Sequence, residues 1–175
     1  PDFAKLHAAA LLNRQVRNAE GLGRLIAGFF RIPVEVKQFV GHWMAVRERD
    51  RSRLGMACCT LGRNTLLGRR VWDRQHKFSL RLGPLDLDGY TNLLPGGQGV
   101  VQLQAAVRNY VGLEFSWDVQ LVLHAHSVPP LRLGSGNRLG YTSWLGRRSS
   151  PRPAADLILD VDRALERGAA SDSTL

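Results

Sequence analysis

Apolar residues recur at helical spacing near the start of the chain. Between residues 18 and 31 the apolar positions are separated by three or four residues, as on one face of an α-helix: Leu22, Leu25, Ile26, Phe29 and Phe30. Asn18 stands at the position of an N-cap, and Pro33 follows the last apolar residue and prevents the helix from continuing. The pattern predicts an amphipathic helix over 18–31.

A second main helix is predicted in the middle of the chain, from about residue 98 to residue 110. Its apolar residues lie on broad faces, and Gly112 is placed to end it. A shorter helix is predicted over 3–14, where Asp2 is placed to cap its first turn. The Gly- and Pro-rich segment 85–97 leaves room for at most one helical turn.

Apolar and polar residues alternate after each of the two main helices. The alternation begins in 34–46, where Gly41 indicates a bend, and continues in 78–82. After the second helix it runs through 113–123 and returns in 157–161. Helices followed by alternating strands are typical of the α+β class.

One sequence pattern, L-G-x4-L-G-x3-W, occurs at 61–72 and again at 133–144. We name these segments the first and second Leu-Gly motifs. Glycine and asparagine between the leucines predict a tight turn, because they adopt positive φ angles at low cost. The leucine before each glycine can lie in a core while the residues between stay on the surface. Both Trp residues are either core residues or contacts for a partner.

The repeated motif, with similar elements before and after it, predicts an internal duplication. We expect an α+β fold of two tandem similar modules, each a helix followed by antiparallel strands with a projecting Gly-rich turn. The predicted boundaries are a helix left from a preceding domain at 1–16, module one at 17–84, a connector at 85–97, module two at 98–162 and a flexible tail at 163–175. Because the chain opens on Pro1, it is expected to be a fragment of a longer protein.

Arginine gives the chain a strong positive charge. There are 24 Lys and Arg residues against 15 Asp and Glu, a formal net charge of +9 and a pI near 10.7. Such a chain is suited to nucleic acid or to an acidic protein. The one dense basic run, Arg47–Arg53, is interleaved with acidic residues, and the order of elements fits no common nucleic-acid-binding module. A protein partner is favoured, and a basic nucleic-acid-binding module is the alternative.

The residues that could carry chemistry form no complete site. His124 and His126 are predicted to share one face of a strand, but no third ligand is placed beside them. The segment 86–89 begins like a calcium loop without its later carboxylates, and 96–99 lacks the Lys-Ser/Thr of a phosphate-binding loop. We therefore expect no enzyme activity, no metal and no cofactor.

The composition also bears on the compartment. No apolar run approaches the length of a membrane span, and residues 1–15 lack the apolar core of a signal peptide. The adjacent Cys58 and Cys59 would form a strained bridge, so both are expected to be reduced. These observations predict a cytosolic protein.

Five stretches of the chain, taken in order, together indicate one protein family. They are Arg17–Leu22, Pro33–Trp43, the first Leu-Gly motif with Val71–Gln75, Phe78–Leu85 and Leu139–Gly146. Together they resemble the C-terminal half of the TssG family, baseplate subunits of the bacterial type VI secretion system. The N-terminal half of the family is expected to be missing from this chain.

The resemblance implies a structural, non-enzymatic wedge component. It implies partnership with TssF, TssK and TssE in a cytoplasmic baseplate, docked at the inner-membrane complex, on which the contractile sheath assembles. If both Leu-Gly motifs project in the same way, they are expected to engage two copies of one partner, TssK. The candidate partner-binding residues are Leu61, Gly62, Leu67, Gly68, Trp72, Leu133, Gly134, Leu139, Gly140, Tyr141, Trp144 and Leu145.

Overall fold

The computed structural model divides the chain into two compact units. The inserted unit is Phe39–Lys77, and the main unit comprises the residues before and after it. The residues described are 17–53, 55–56, 58–131, 134, 136–146 and 150–172, with side chains described as far as residue 166. The helix predicted over 3–14, the boundary at 1–16 and the candidate Leu133 lie outside these residues.

The described chain contains four α-helices and six strands. In order, the elements are α1 Ala19–Phe30, β1 Val34–Lys37, β2 His42–Ala45, a 3-10 turn Glu48–Asp50, β3 Arg70–Asp73, β4 Lys77–Leu85, α2 Leu87–Asn92, α3 Gln98–Val111, β5 Ser116–Leu123, a 3-10 turn Ala125–Ser127, β6 Ala154–Leu159 and α4 Val161–Asp172. The α+β class is confirmed.

Local signals determine the ends of α1 as the sequence predicts. The side chain of Asn18 accepts a hydrogen bond from the Gly21 N–H at 2.8 Å, which satisfies a free donor of the first turn. Arg31 adopts a left-handed conformation with φ 56°, and its N–H donates to the Ala27 carbonyl. The face of α1 that is buried carries Leu22, Leu25 and Ile26.

One four-stranded sheet forms the centre of the main unit, in the order β1-β4-β5-β6. The outer pairs are antiparallel, with Val36 opposite Leu80 and Leu121 opposite Leu157. The Leu85 carbonyl accepts a hydrogen bond from the His124 N–H at 2.8 Å, so the C-terminal ends of β4 and β5 lie together. The two central strands are therefore parallel, and α2 and α3 lie in the connection between them.

A single hydrophobic core joins the sheet to the helices. Leu80 and Leu82 of β4, Leu121 of β5, and Leu103 and Val107 of α3 are all fully buried and belong to one cluster. Each buried leucine contributes roughly 1.5–3 kcal/mol by its removal from water. Residues from both predicted modules thus stabilise one core. Two tandem modules with separate cores are not confirmed, because β4 and β5 come from different predicted modules and are neighbours in the same sheet.

Three sequence predictions in the second half of the chain need correction. Leu113–Phe115 was predicted to be strand but lies in a bend before β5. Val161 was predicted to end the last strand, but it begins α4. The predicted flexible tail at 163–175 is helical as far as Asp172. The reason for the helix is local, because the Asp160 side chain accepts a hydrogen bond from the Arg163 N–H and so caps the first turn.

The inserted unit is built on a short antiparallel hairpin. In β2 and β3, Trp43 lies opposite Trp72 and Ala45 lies opposite Arg70. The hairpin continues for one residue beyond β2, where the Val46 N–H donates to the Arg69 carbonyl at 3.0 Å. Val46 is also buried. The bend predicted at Gly41 is present, since β1 and β2 lie on either side of it and belong to different sheets.

Candidate partner-binding site

The first Leu-Gly motif forms the turn that leads into β3. The N–H groups of Arg63 and Asn64 both donate to the Thr60 carbonyl at 3.1 Å, and the Asn64 side chain accepts from the Thr60 N–H. Gly62 and Gly68 have φ angles of 74° and 94°, which favour glycine. The predicted turn chemistry is therefore present at both glycines.

The leucines of this motif face solvent. Leu61 and Leu67 are each 89% exposed. They do not lie in a core, because the turn closes through local backbone hydrogen bonds and no apolar layer covers them. Exposed leucines on a projecting turn leave apolar surface available to a partner.

Trp72 lies on the surface of the hairpin beside Trp43. The two rings meet edge to face with their centroids 5.3 Å apart, and Trp43 and Trp72 are 62% and 53% exposed. A Cβ added to Gly41 would collide with the Trp72 ring, so only glycine at this position leaves the space that the ring occupies. Of the two interpretations left open by the sequence, Trp72 is thus not a core residue.

The opposite face of the hairpin carries a carboxylate between two histidines. Asp73 accepts a hydrogen bond from the His76 N–H at 2.9 Å, and the His76 ring lies 3.1 Å from the same carboxylate. His42 Nδ1 lies 3.7 Å from Asp73 Oδ2, the oxygen that accepts the His76 N–H. The backbone N–H of His76 is the largest cause of a lowered pKa at Asp73. This arrangement fixes the turn that joins β3 to β4.

The second Leu-Gly motif is described at residue 134 and from 136 onward. The N–H groups of Tyr141 and Thr142 donate to the Arg138 carbonyl, and the Thr142 hydroxyl accepts from the Arg138 N–H at 2.8 Å. The Arg138 guanidinium lies 5.0 Å from the centre of the Tyr141 ring and also donates to the Pro95 carbonyl. Gly134 and Gly140 have φ angles near 80°, as in the first motif.

Two aromatic residues attach this turn to the core of the main unit. The Tyr141 carbonyl accepts a hydrogen bond from the buried Tyr90 hydroxyl at 3.1 Å. The Trp144 ring packs at a tilt against Tyr90, with centroids 6.0 Å apart, and its indole N–H donates to Asp156. Trp144 is half-buried and partly a core residue.

Leu139 and Leu145 point away from that anchor and are 91% and 93% exposed. The two Leu-Gly motifs therefore share left-handed glycines and exposed leucines. They differ at the tryptophan, since Trp72 lies on a surface hairpin and Trp144 packs on the core. The predicted site residues fall into two separate sets, one in each unit.

Sequence reasoning missed Trp43 and Tyr90. Trp43 was placed only in a strand, and its pairing with Trp72 follows from a hairpin register that sequence spacing does not give. Tyr90 was assigned to a connector, whereas it is buried and holds the second motif. A tyrosine in a short apolar segment is a weak signal for such a role.

Positive charge is concentrated in the inserted unit. Residues Phe39–Lys77 contain nine Lys and Arg residues against three Asp and Glu, and so carry +6 of the formal net charge of +9. The three carboxylates all have partners within the unit: Glu48 and Asp50 form ion pairs with Arg53 and Arg47, and Asp73 accepts a hydrogen bond from the His76 N–H. Arg63, Arg69, Arg70 and Arg74 take part in none of these contacts and are exposed.

Catalysis or metal binding would require several polar side chains to converge on one point. In the part of the chain that the structure describes, no group of three or more His, Cys, Asp or Glu side chains is arranged to hold a metal ion. His124 and His126 stack with centroids 5.0 Å apart, but they lie after β5 and in a 3-10 turn rather than on a strand as predicted. None of the described helices is long and apolar enough to cross a membrane.

These features define an α+β protein that presents apolar side chains on glycine-rich turns. The family model for type VI secretion, TssG, matches residues 1–146, which is most of the chain. The chain belongs to the TssG family, and the resemblance found in the sequence is confirmed. No curated protein matches the chain in sequence.

Two solved structures are similar in fold. One is the type VI secretion system TssK-TssF-TssG baseplate subcomplex revealed by cryo-electron microscopy, with a TM-score of 0.69 and 20% identity over 92% of this chain and 68% of that chain. The other is the baseplate complex from the type VI secretion system, with a TM-score of 0.59 and 23% identity over 89% of this chain and 45% of that one. The chain thus spans about two thirds and under half of these relatives.

Proposed function

We propose that the chain is a structural baseplate component of a type VI secretion system. It joins TssF, TssK and TssE in the cytoplasm, at the inner-membrane complex, and performs no reaction. The observation that carries the proposal is membership of the TssG family over residues 1–146. The fold similarity to the TssK-TssF-TssG baseplate subcomplex supports TssF and TssK as the first partners to test.

The exposed leucines of the two Leu-Gly motifs, with Leu145 directly after the second motif, are the proposed contacts. Leu61 and Leu67 lie on one turn, and Leu139 and Leu145 on the other. Covering exposed apolar side chains favours association, because the free energy gained grows with the apolar area removed from water. Two similar turns on one chain suit two copies of one partner, which we propose to be TssK.

Co-purification tests this function directly. The chain is co-expressed with TssF and TssK, and a tag on the chain is used to recover the complex. We expect both partners to be recovered in fixed ratio. Replacing Leu139 and Leu145 together by alanine is expected to weaken TssK recovery about tenfold or more, since each is a candidate interface anchor.

The matched control is Leu113→Ala, which removes another exposed leucine of the main unit outside both motifs. It is expected to leave recovery unchanged. Leucines 139 and 145 are better targets than Trp144, because truncating a ring that packs on the core would also destabilise the fold. Unchanged TssK recovery by the folded double variant would refute the role of the second motif.

A further inference from the structure

The surface of the hairpin in the inserted unit has one fully exposed face. Side chains alternate between the two faces of a strand, so Trp72 and Arg70 of β3 share a face with the residues opposite them, Trp43 and Ala45 of β2. All four are exposed. We name these four residues the tryptophan face. Asp73 and His42 lie on the other side of the hairpin.

Two exposed tryptophans in contact are unusual for a surface with no partner. A tryptophan buries a large area when it is covered, and its hydration is unfavourable while it is exposed. The pair already has a fixed edge-to-face geometry in the hairpin. A partner that covers the two rings therefore gains apolar contact while it orders few side chains, since the rings are held before binding.

Charge indicates what kind of partner fits. Arg70 belongs to the tryptophan face, and Arg74 follows β3 directly. Among the residues that the structure describes, neither arginine forms an ion pair, and the carboxylates of the unit are engaged elsewhere. No acidic side chain lies on the face itself. A complementary surface would carry carboxylates, which arginine binds through two parallel hydrogen bonds.

We propose that the tryptophan face binds an acidic segment of a partner protein that also carries aromatic or aliphatic side chains. The inference rests on the proposed scaffold function, because that function makes a protein the expected partner. It adds a surface outside the two turns and a chemical character for what binds there.

Single-stranded nucleic acid is the competing ligand, since exposed aromatic rings among arginines also bind bases and phosphates. Two observations favour protein. The face offers one ring pair over strands of only four residues, which is short for a track along a nucleic-acid strand. Leu67, three residues before β3, is also exposed, and its side chain suits an apolar protein contact better than a stacked base.

Three defined probes separate these alternatives in a binding assay on the full chain. They are a random copolymer of glutamate and tyrosine, polyglutamate, and oligothymidylate, each immobilised and measured at the same salt concentration. We expect the copolymer to bind more tightly than either other probe. Equal or tighter binding of oligothymidylate would overturn the proposal in favour of nucleic acid. If polyglutamate bound as tightly as the copolymer, binding would depend on charge alone, and the proposal would also be overturned.

Variants locate the binding on the face. Trp43→Ala is expected to weaken copolymer binding about tenfold or more, as for an interface anchor, and Trp43→Phe to retain most of it. Arg70→Glu is expected to weaken it as well. The control Arg163→Glu makes the same charge change on the exposed surface of α4 and is expected to have little effect.

Because Trp43→Ala also removes the ring contact with Trp72 in the hairpin, Arg70→Glu serves as the second variant, and circular dichroism checks the fold of both. Copolymer binding that Arg70→Glu leaves unchanged would overturn the proposal. Failure of copolymer binding with normal TssF and TssK recovery would refute this inference alone. Normal copolymer binding with no TssF or TssK recovery would refute the scaffold function and leave this surface as a binding site.

Discussion

At the scale of single residues, Tyr90 connects the core to the second Leu-Gly motif. Its ring is buried among leucines, and its hydroxyl is the donor to the Tyr141 carbonyl. Burial raises its pKa to about 12, and the nearby Asp156 carboxylate adds to the effect, because both oppose a negative charge on the phenol. The neutral hydroxyl is therefore the form that the fold requires.

This pKa predicts a loss of stability in alkali. Between pH 10 and pH 12 the unfolded chain releases the Tyr90 proton while the folded chain keeps it. The free energy of unfolding therefore falls as pH rises through this range, and the contribution is complete below pH 10. Urea unfolding of the native chain and of Tyr90→Phe measures it.

Comparing the native chain with Tyr90→Phe separates the titration of Tyr90 from the titration of lysines and of the other tyrosines. We expect Tyr90→Phe to be about 1 kcal/mol less stable near neutral pH, through loss of one hydrogen bond. Above pH 10 its unfolding free energy should fall less steeply than that of the native chain. If the unfolding free energies of the two proteins fell equally steeply above pH 10, the raised pKa of Tyr90 would be contradicted.

At the scale of elements, Arg108 joins α3 to the loop after it and to α4. Its guanidinium donates to the carbonyls of Gly112 and Phe115 at 2.8 and 3.1 Å, and it forms an ion pair with Asp162. Burial opposes ionisation of Asp162, but hydrogen bonds from Gln104 and Arg108 outweigh it and lower the pKa of that carboxyl.

Removing this side chain should destabilise the main unit. We expect Arg108→Ala to lower the free energy of unfolding by about 2–3 kcal/mol, because two carbonyls and a half-buried carboxylate lose a charged donor. The control is Arg24→Ala, which breaks an exposed pair with Glu20 and should cost about 0.5 kcal/mol or less. Urea denaturation measures both, and equal effects would show that the Arg108 contacts contribute no more than a surface pair.

Element boundaries followed from the sequence where the cause was local. Helix α1 was predicted within a residue or two, because its cap at Asn18 and its apolar spacing lie inside the same segment. The start of β5 was misplaced, since Leu113–Phe115 has strand-like residues but no neighbouring strand to pair with. Helix α4 was missed, although Asp160 was a readable cap signal.

At the scale of the whole molecule, the inserted unit lies between two paired strands. Lys37 of β1 pairs with Ser79 of β4. The next residues, Gln38 and Phe78, are therefore opposite each other where the inserted unit begins and ends. The fold of the main unit needs only a turn at this point. A two-residue Asn-Gly turn is the usual connection between such strands.

Replacing Phe39–Lys77 by Asn-Gly is expected to leave the main unit folded. Its free energy of unfolding should be equal to that of the native chain or up to about 2 kcal/mol higher, because a short connection closes at lower entropic cost than a long one. Near-ultraviolet circular dichroism follows Trp117, which stacks on Phe78 in the core. Loss of the cooperative Trp117 transition would contradict the independence of the main unit.

The candidate site was predictable in part. Gly62, Gly68, Gly134 and Gly140 of the two Leu-Gly motifs have positive φ angles, a conformation that belongs to the residue type itself and can be predicted from the sequence. The exposure of the leucines was not predictable from residue type, since Leu61 is 89% exposed and Leu80 is fully buried. Their exposure depends on what packs against them from elsewhere in the chain.

The sequence by itself determined the α+β class, the two main helices with their caps, the turns and the family, because each depends on residues within a short stretch or on their order. Only the tertiary structure decided that one sheet and one core replace two modules, and that Trp72 pairs with Trp43 while Trp144 packs on Tyr90. Strand pairing and core packing bring together residues that are far apart in the chain, and a local sequence pattern does not specify which distant segments come into contact.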